Sequence, residues 1–260
     1  GNYLFREDEM KEFVKKEPKA AGYFKPWYGS VEFINRSPRF CLWLGDADPD
    51  DLAHMPRCVE RIEAVRQFRL ASKRTSTLKL ADKPTHFQTE NMPEGHYIVI
   101  PEVSSEQRLY VPIGFMDDSV LCSNKLRLMP NATLYHFGVL TSSVHMAWMR
   151  AVCGRLKSDY DYSIKLVYNN FPWPRPTPEQ KAQIEQTAQA ILDVRAAHSK
   201  SSYATLYDRN NLQTIFRDLL AAHRANDRAV AAAYGFPENQ TEAECVAELM
   251  RMYAKLTSQN

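Results

Sequence analysis

Two stretches in the first two thirds of the chain place apolar residues at helical spacing. In the segment 57–70, which follows Pro56, apolar residues recur at intervals of mostly three positions. In the segment 142–153, they share one helical face, and Gly154 stands where such a helix would stop. The pattern therefore predicts a helix in each stretch. The apolar positions are Val59, Ile62, Val65 and Phe68, then Val144, Ala147, Trp148, Ala151 and Val152.

β-branched and aromatic residues dominate three further segments, which the pattern predicts to be strands. The segments are 96–101, 108–115 and 160–168. In the last of them, Tyr162, Ile164, Leu166 and Tyr168 would share one side of a strand, because side chains alternate along it. Strands and helices are mixed without a regular βαβ order, so we predict an α+β fold.

A proline-rich segment at 171–178 divides the chain. Its prolines at 172, 174, 176 and 178 are incompatible with a helix interior or a central strand. We therefore predict a domain boundary here, with one domain at 1–174 and a second at 175–260.

Beyond the boundary the pattern is helical throughout. Thr177 with Gln180 and Thr241 with Glu244 form capping boxes, and Gly235 closes a segment between them. We predict a small all-α bundle after the mixed domain. Its apolar stripes are Ile184, Ala188, Ile191 and Leu192, then Leu212, Ile215, Phe216, Leu219 and Leu220, then Val246, Leu249, Met250 and Tyr253.

Composition narrows the class of protein. With 260 residues and 44% hydrophobic content, the chain is too apolar to be mainly disordered. The 5 cysteines are scattered without a C-x-x-C pair, which argues against a disulfide framework or zinc site and favours a reducing, cytoplasmic compartment. No membrane span or signal peptide is visible. The sequence begins Gly-Asn-Tyr without Met, so we expect a fragment of a longer protein.

The net charge of +2 conceals two basic stretches. Residues 119–158 contain no Asp or Glu but five Lys or Arg, and residues 61–83 contain seven basic residues against two acidic ones. A polyanion favours such surfaces, because a carboxylate beside a phosphate repels it. Equally, each stretch could be a solvated surface whose acidic partners come from elsewhere in the fold. Both interpretations stay open at this point.

On the polyanion interpretation, basic and hydroxyl side chains in these stretches are candidate phosphate contacts. Ser142, Ser143 and His145 join them because they stand at a predicted helix start, where backbone N–H groups favour an anion. The other candidates are Arg69, Lys73, Arg74, Ser76, Thr77, Lys79, Lys125, Arg127 and Arg155.

Catalytic patterns are missing from the sequence. There is no phosphate-binding loop, dinucleotide loop or serine-hydrolase elbow. Glu179 and Lys181 imitate the end of a nuclease site, but Asp50 lies far upstream, and chance explains the pattern better. His136 and His145 bracket a helix start without a third ligand, so we predict no metal site and no catalytic residue.

Several short motifs, in the right order, resemble the recognition region of the MmeI-like (Type IIL) restriction-modification enzymes and related DNA adenine methyltransferases. The similarity spans nearly the whole chain. The motifs are GYF at 22–24, RFCLWL at 39–44, HFGVL at 136–140, HMAW at 145–148, GRLKSDY at 154–160, YNNFPWP at 168–174, NDRAV at 226–230 and AYG at 233–235.

The resemblance implies a function in DNA recognition. The family's domain order is nuclease, connector, methyltransferase, recognition domain and C-terminal helices, and this chain would be the last two. It would read duplex DNA so that the parent's methyltransferase domain, a partner within the same protein, can methylate a flipped adenine at N6. S-adenosylmethionine is expected in that domain, and no cofactor is expected in this chain.

The family also varies its base preference at charged positions in the segment that matches 157–159. If this segment is extended, Lys157 and Asp159 point the same way. Lysine donates to guanine O6 and N7, and aspartate accepts from cytosine N4. We therefore hypothesise that the two residues read one G·C base pair, with Tyr160 and Asp161 as further candidate base contacts. The alternative is an ordinary surface Lys–Asp pair.

Two other functions remain open. The chain could be a small complete nuclease that uses Asp50, Glu179 and Lys181. It could also be a protein-interaction module whose terminal helices, residues 175–260, dock on a partner or on the parent's methyltransferase domain. The second of these is compatible with DNA reading.

Overall fold

A computed structural model describes residues 2–45, 47–90 and 92–258. Strands and helices are mixed, which confirms the predicted α+β class. The strands are β1 Leu4–Phe5, β2 Phe24–Tyr28, β3 Arg39–Leu42, β4 Tyr97–Pro101, β5 Val103–Ser104, β6 Gly114–Met116, β7 Leu121–Cys122, β8 Leu126–Pro130, β9 Gly154–Leu156 and β10 Asp159–Asp161. The helices are α1 Glu7–Lys16, α2 Ser30–Asn35, α3 Pro49–Ala53, α4 Pro56–Leu70, α5 Thr75–Lys79, α6 Leu134–Leu140, α7 Ser143–Val152, α8 Pro178–Ala197, α9 Tyr203–Leu206, α10 Arg209–Thr214, α11 Arg217–Tyr234 and α12 Glu242–Thr257.

The chain divides into two compact units. The first unit comprises Gly1–Tyr28, Ser37–Pro93 and Asp118–Ser123. The second unit comprises Gly29–Arg36, Glu94–Asp117 and Asn124–Asn260.

The first unit is built on a sheet with strand order β1-β3-β2-β7. Phe5, Phe13 and Phe24 pack edge to face above it, with ring centroids 5.2–5.8 Å apart. The buried carboxylate of Glu17 accepts hydrogen bonds from the backbone N–H groups of Arg57 and Cys58, at 2.7 and 2.9 Å. The first N–H groups of a helix have no carbonyl partner within the helix. Glu17 therefore accepts the hydrogen bonds that these groups of α4 would otherwise lack.

The second unit contains two antiparallel sheets, among the residues described, with orders β6-β4-β8 and β5-β10-β9. Every residue of β4 is buried, and β8 pairs along its whole length. α6 approaches α8 so closely that a Cβ atom on Gly138 would meet Cγ2 of Ile184 at 2.6 Å. The amide of Asn226 donates to the carbonyl of Gly138 at 2.8 Å and fixes α11 against the same site.

One core of the second unit includes residues from both sides of the proline-rich segment. Phe137 and Trp148 before it pack in the same cluster as Ile191 and Leu249 after it. The predicted boundary after Pro174 stays a prediction.

The helical patterns are largely confirmed, but one buried face differs. α4 and α7 match their predicted segments, and Trp148 is buried as a packing residue, with its indole N–H donating to the carbonyl of Val167 at 2.9 Å. On α4, however, Val59 and Phe68 are 45% and 72% exposed, and the buried positions are Cys58, Val65 and Arg69.

Strand predictions hold for β4 and fail in two other places. Most of the segment 108–115 is irregular, and β6 begins at its end. Strand β10 ends at Asp161, and Ile164–Tyr168 form one π-helical turn that begins where the Ser163 side chain accepts from the N–H of Leu166. Ile164 and Leu166 are consequently 41% and 51% exposed. Gly154 belongs to β9 and does not cap α7 in a left-handed conformation.

Both predicted capping boxes are present in the C-terminal helices. Thr177 caps α8 and Thr241 caps α12, each through its side chain. The segment before Gly235 is the end of the long helix α11, and Gly235 adopts a left-handed conformation, with φ of 72°. None of the described helices is long and apolar enough to cross a membrane.

Candidate nucleic-acid interface

The predicted base-reading residues lie on a β-hairpin of the second unit. β9 and β10 pair antiparallel, with Tyr160 opposite Arg155, and β10 also pairs with β5. The guanidinium carbon of Arg155 lies 4.2 Å from the ring centroid of Tyr160, and its Nη1 donates to the carbonyl of Ser158 at 2.9 Å. Arg155 therefore stabilises the hairpin through contacts with two other residues of the same hairpin.

The tip of the hairpin is a two-residue loop, Lys157 and Ser158. Lys157 has a φ of 58°, which non-glycine residues rarely adopt. The prediction that Lys157 and Asp159 share one side of an extended segment is therefore wrong, because the chain turns between them. Lys157 is exposed at the tip, and Asp159 begins the returning strand.

The returning strand separates the other candidates. Asp159 and Asp161 lie on one face of β10, and Tyr160 lies on the other, where it is 6% exposed. A carboxylate oxygen of Asp159 accepts from the N–H of Glu106 at 3.4 Å. Tyr160 is thus a packing residue in this structure, whereas Lys157 and the half-buried aspartates stay candidates for base contacts.

Acidic residues from elsewhere in the second unit reach the carboxylate-free stretch. Glu102 pairs with Lys125 at 3.0 Å and with Arg127 at 2.9 Å. Glu106 pairs with Arg155 at 3.6 Å, and Glu242 pairs with Arg150 at 2.8 Å. Arg127 also donates to the carbonyls of Tyr162 and Asn124. For these cations the solvated-surface interpretation of the stretch is the better one.

The start of α7 does not offer an anion site. The Asp227 carboxylate already accepts from the N–H of Ser143 at 2.6 Å and from the Tyr110 hydroxyl at 2.7 Å. The side chain of Ser142 is fully buried and donates to the carbonyl of Val139. The predicted phosphate contacts at Ser142 and Ser143 are therefore corrected: an internal carboxylate occupies the place that a phosphate would take.

His145 is also corrected, because its imidazole is fully buried. Nε2 lies 3.1 Å from the hydroxyl of Tyr162, and the ring meets Phe171 edge to face. Burial lowers the pKa of His145 to about 3, so the imidazole is neutral near pH 7. Tyr162 is itself buried, with 2% of its surface exposed.

Arg69 in the first unit has a structural role. Its guanidinium donates to the carbonyls of Leu80, Lys83 and His86 at 2.6–2.8 Å, and the residue is 9% exposed. The prediction that Arg69 contacts phosphate is corrected, since its donors hold the loop that follows α5.

The other candidates of the first unit lie together on the surface. Lys73 and Arg74 occupy the turn between α4 and α5, and Ser76, Thr77 and Lys79 belong to α5. All are exposed except Thr77, which is half-buried. Within residues 2–45, 47–90 and 92–258, the three cations of this 73–79 segment form no ion pair. The segment therefore keeps free positive charge.

The geometry of the described residues does not support the nuclease alternative. In the part of the chain that the structure describes, no group of three or more His, Cys, Asp or Glu residues could hold a metal ion. Glu179 lies in the first turn of α8, where hydrogen bonds from its own backbone N–H and from the Thr177 side chain lower the pKa of its carboxyl group. His136 accepts from the N–H of Thr133 at 3.1 Å and completes the cap of α6.

Comparison with known proteins decides the family. The model of the MmeI target recognition domain matches residues 1–175, and the model of the MmeI C-terminal domain matches residues 176–259. The chain belongs to the MmeI target-recognition family. The resemblance predicted from the motifs is thereby confirmed.

Two longer relatives match almost the whole chain. DNA methyltransferase A of Bacillus subtilis (strain 168) is 36% identical over 257 residues. A solved structure, the Type IIL restriction-modification enzyme MmeI in complex with DNA, is 43% identical with a TM-score of 0.95. Each match covers 99% of this chain but only 29% and 34%, respectively, of the relative. The chain thus spans about a third of the length of each of these two relatives.

Proposed function

We propose that this chain reads the base sequence of duplex DNA on behalf of a methyltransferase domain that modifies adenine at N6. The observation that carries the proposal is the 0.95 TM-score match to an enzyme solved in complex with DNA. The name of the Bacillus relative, a DNA methyltransferase, supports the linked reaction. Duplex DNA and the methyltransferase domain of the same protein are the proposed partners.

The hairpin supports this proposal because of where it exposes charge. Lys157 projects from a two-residue loop and forms no ion pair among the described residues, whereas Arg150 and Arg155, the two basic residues before it, are paired. A donor on a narrow tip is suited to base edges in the major groove, where guanine offers two acceptors. Lys157 is the proposed guanine contact, and Asp159 the proposed acceptor for cytosine N4.

The residues present do not fit S-adenosylmethionine. In the described ranges, β2 and β7 form the one parallel strand pair, and β2 leads through Gly29 into α2, a helix of six residues. A glycine-rich loop between a parallel strand and a long helix, the arrangement by which Rossmann-type folds bind nucleotide cofactors, is missing there. The proposed cofactor therefore belongs to the methyltransferase domain, and no step of its chemistry is assigned to this chain.

The test is a selection of randomised duplex DNA on the purified chain at low salt, repeated with Lys157→Ala. Enrichment of a short asymmetric sequence is expected from the wild type. In the variant, discrimination should fall by about 1–3 kcal/mol at one G·C position, since one base contact is lost.

The matched control is Lys255→Ala, which removes an exposed lysine from α12. It should leave preference at every position unchanged. If no duplex is bound at low salt, the proposed function is wrong. If a sequence is enriched but Lys157→Ala selects the same one with equal strength, DNA reading stands and the assignment of Lys157 fails.

A further inference from the structure

The helix α11 carries a row of arginines that plays no part in the candidate interface. Arg217, Arg224 and Arg228 are seven and four residues apart, and all three are exposed. An α-helix turns by about 100° and rises 1.5 Å per residue, so the three lie within about 40° of one another over about 16 Å. We call this row the α11 arginine face. Ala221 lies on the same face and adds no bulk between the charges.

The guanidinium groups of the α11 arginine face are not tied up by direct contacts within the described part of the fold. Across residues 2–45, 47–90 and 92–258, none of the three arginines forms an ion pair or a side-chain hydrogen bond. The acidic residues of the same helix are occupied elsewhere. Asp218 binds Nε2 of His198 at 2.7 Å, and Asp227 binds Tyr110 and Ser143. The face therefore presents net positive charge to solvent.

The surface beside this face is concave. An open groove of about 480 Å³ is lined by Gln213, Arg217, Leu220, Ala221, Arg224 and Arg228. Its floor is apolar, because Leu220 is buried, and its rim is cationic. A groove lined by this row of arginines accommodates an anionic chain better than a flat surface does, since all three guanidinium groups can contact the chain along its length.

The chemistry of arginine points to phosphate as the ligand. A guanidinium group presents a planar fork of N–H donors that matches two oxygens of one phosphate. Each strand of duplex DNA offers a phosphate about every 3.4 Å along the axis, so arginines spread over about 16 Å can each contact a different one. A contact of this kind carries no sequence information and adds affinity to whatever the hairpin reads.

We propose that the α11 arginine face binds the phosphate backbone of the same DNA duplex, as a second, sequence-independent contact surface in the helical part of the chain. The inference rests on the proposed function, because it assumes that duplex DNA is the ligand. An acidic protein surface is the alternative occupant.

The test compares the full 260-residue chain with the triple variant Arg217→Gln, Arg224→Gln, Arg228→Gln. Dissociation constants for a fluorescent duplex are measured by anisotropy over a series of salt concentrations. The slope of log K against log salt should become shallower by about one unit for each contact removed. The base preference found by selection should not change. Circular dichroism and the thermal midpoint show whether both proteins are equally folded.

Two controls separate position from charge. The triple variant Arg175→Gln, Lys200→Gln, Lys255→Gln loses the same charge from exposed positions outside this face and should keep the wild-type slope. Replacing the three arginines of the face by lysine keeps the charge and should restore most of the slope.

The outcomes are distinct. An unchanged slope in the α11 variant overturns the inference and leaves an acidic protein surface as the occupant. Equal slope losses in both glutamine triples overturn it too, because net charge alone would then explain the effect. Absence of duplex binding by the wild-type chain overturns the proposed function together with this inference. Salt-dependent binding without any enriched sequence overturns sequence reading alone.

Discussion

The two basic stretches look alike in sequence but differ in the fold. In the stretch 119–158, the cations Lys125, Arg127, Arg150 and Arg155 are paired with glutamates from outside the stretch. In the stretch 61–83, the 73–79 segment keeps its cations exposed and, among the described residues, without ion pairs. In the stretch that lacks acids entirely, four of the five cations are thus neutralised, and Lys157 at the hairpin tip is the exception among the described residues.

This difference shows that a local count of charges does not determine a surface potential. Glu102 and Glu242 lie 25 and 92 residues away in sequence from the arginines that they pair with. Tertiary structure decides whether a cation is available to a ligand. We therefore expect the two stretches to respond differently to substitution.

The largest effect is expected at Arg69. Replacing it by alanine removes the donors for three backbone carbonyls, and the free energy of unfolding should fall by about 3 kcal/mol because buried acceptors lose their partners. Urea unfolding followed by circular dichroism measures the change. Lys73→Ala, four residues on and exposed, should change the free energy by less than about 0.5 kcal/mol. Similar losses in both variants would contradict the structural role of Arg69.

An effect of intermediate size is expected from pH, through His145. Its folded-state pKa of about 3 lies below the unfolded value, so the unfolded chain binds the proton more readily. Stability is fully present above pH 6.5 and is lost as the pH falls towards 3. Between pH 6.5 and pH 5 the loss should be about 2 kcal/mol from this group.

Urea unfolding at pH 7 and pH 5 tests this dependence. His145→Gln should reduce the difference between the two pH values by that amount, and substitution of the exposed His96 should not. Burial also lowers the pKa of His223, which adds to the wild-type loss in the same direction. An undiminished difference in His145→Gln would place its imidazole in solvent and reopen it as a phosphate contact.

The smallest effect is expected on DNA binding, where the two stretches are compared directly. The triple variant Lys73→Gln, Arg74→Gln, Lys79→Gln should lower the salt slope by about one unit per contact. The matched triple Lys125→Gln, Arg127→Gln, Arg155→Gln removes the same charge but should lower the slope less, because those cations are paired with Glu102 and Glu106. Equal slopes would show that the ion pairs open when DNA binds.

Local signals predict much of this fold. The caps at Thr177 and Thr241 are set by residues three apart, and Pro56 marks the first turn of α4. These features depend on neighbours in sequence, so they can be read without knowing the fold. The family resemblance likewise follows from short motifs in a fixed order.

Non-local contacts explain the failures. Alternation at 160–168 is typical of a strand, yet Ser163 starts a π-helical turn and the pattern of Tyr162, Ile164 and Leu166 is not that of a buried face. In sequence, the start of α7 is typical of an anion site. In the fold, the carboxylate of Asp227 on α11, 84 residues after Ser143, accepts from the Ser143 N–H. No local pattern signals that contact. The α11 arginine face has a local signal, the i, i+7, i+11 spacing of its arginines, but a nearly balanced net charge does not indicate it.

The left-handed conformation of Lys157 makes the hairpin tip less stable than it would be with another residue at this position. A residue with a Cβ atom is disfavoured there by roughly 1 kcal/mol relative to glycine, and asparagine tolerates the conformation better than lysine does. Replacing Lys157 by glycine or asparagine would therefore give a more stable loop. On the proposed function, lysine is kept at this position because its ammonium group contacts a base. Because β10 is paired with β9 on one side and β5 on the other, we expect side chains at the tip to be exchangeable without moving the scaffold. If Lys157 reads a base as proposed, recognition and folding are separable at this loop, and base preference can change while the architecture stays the same.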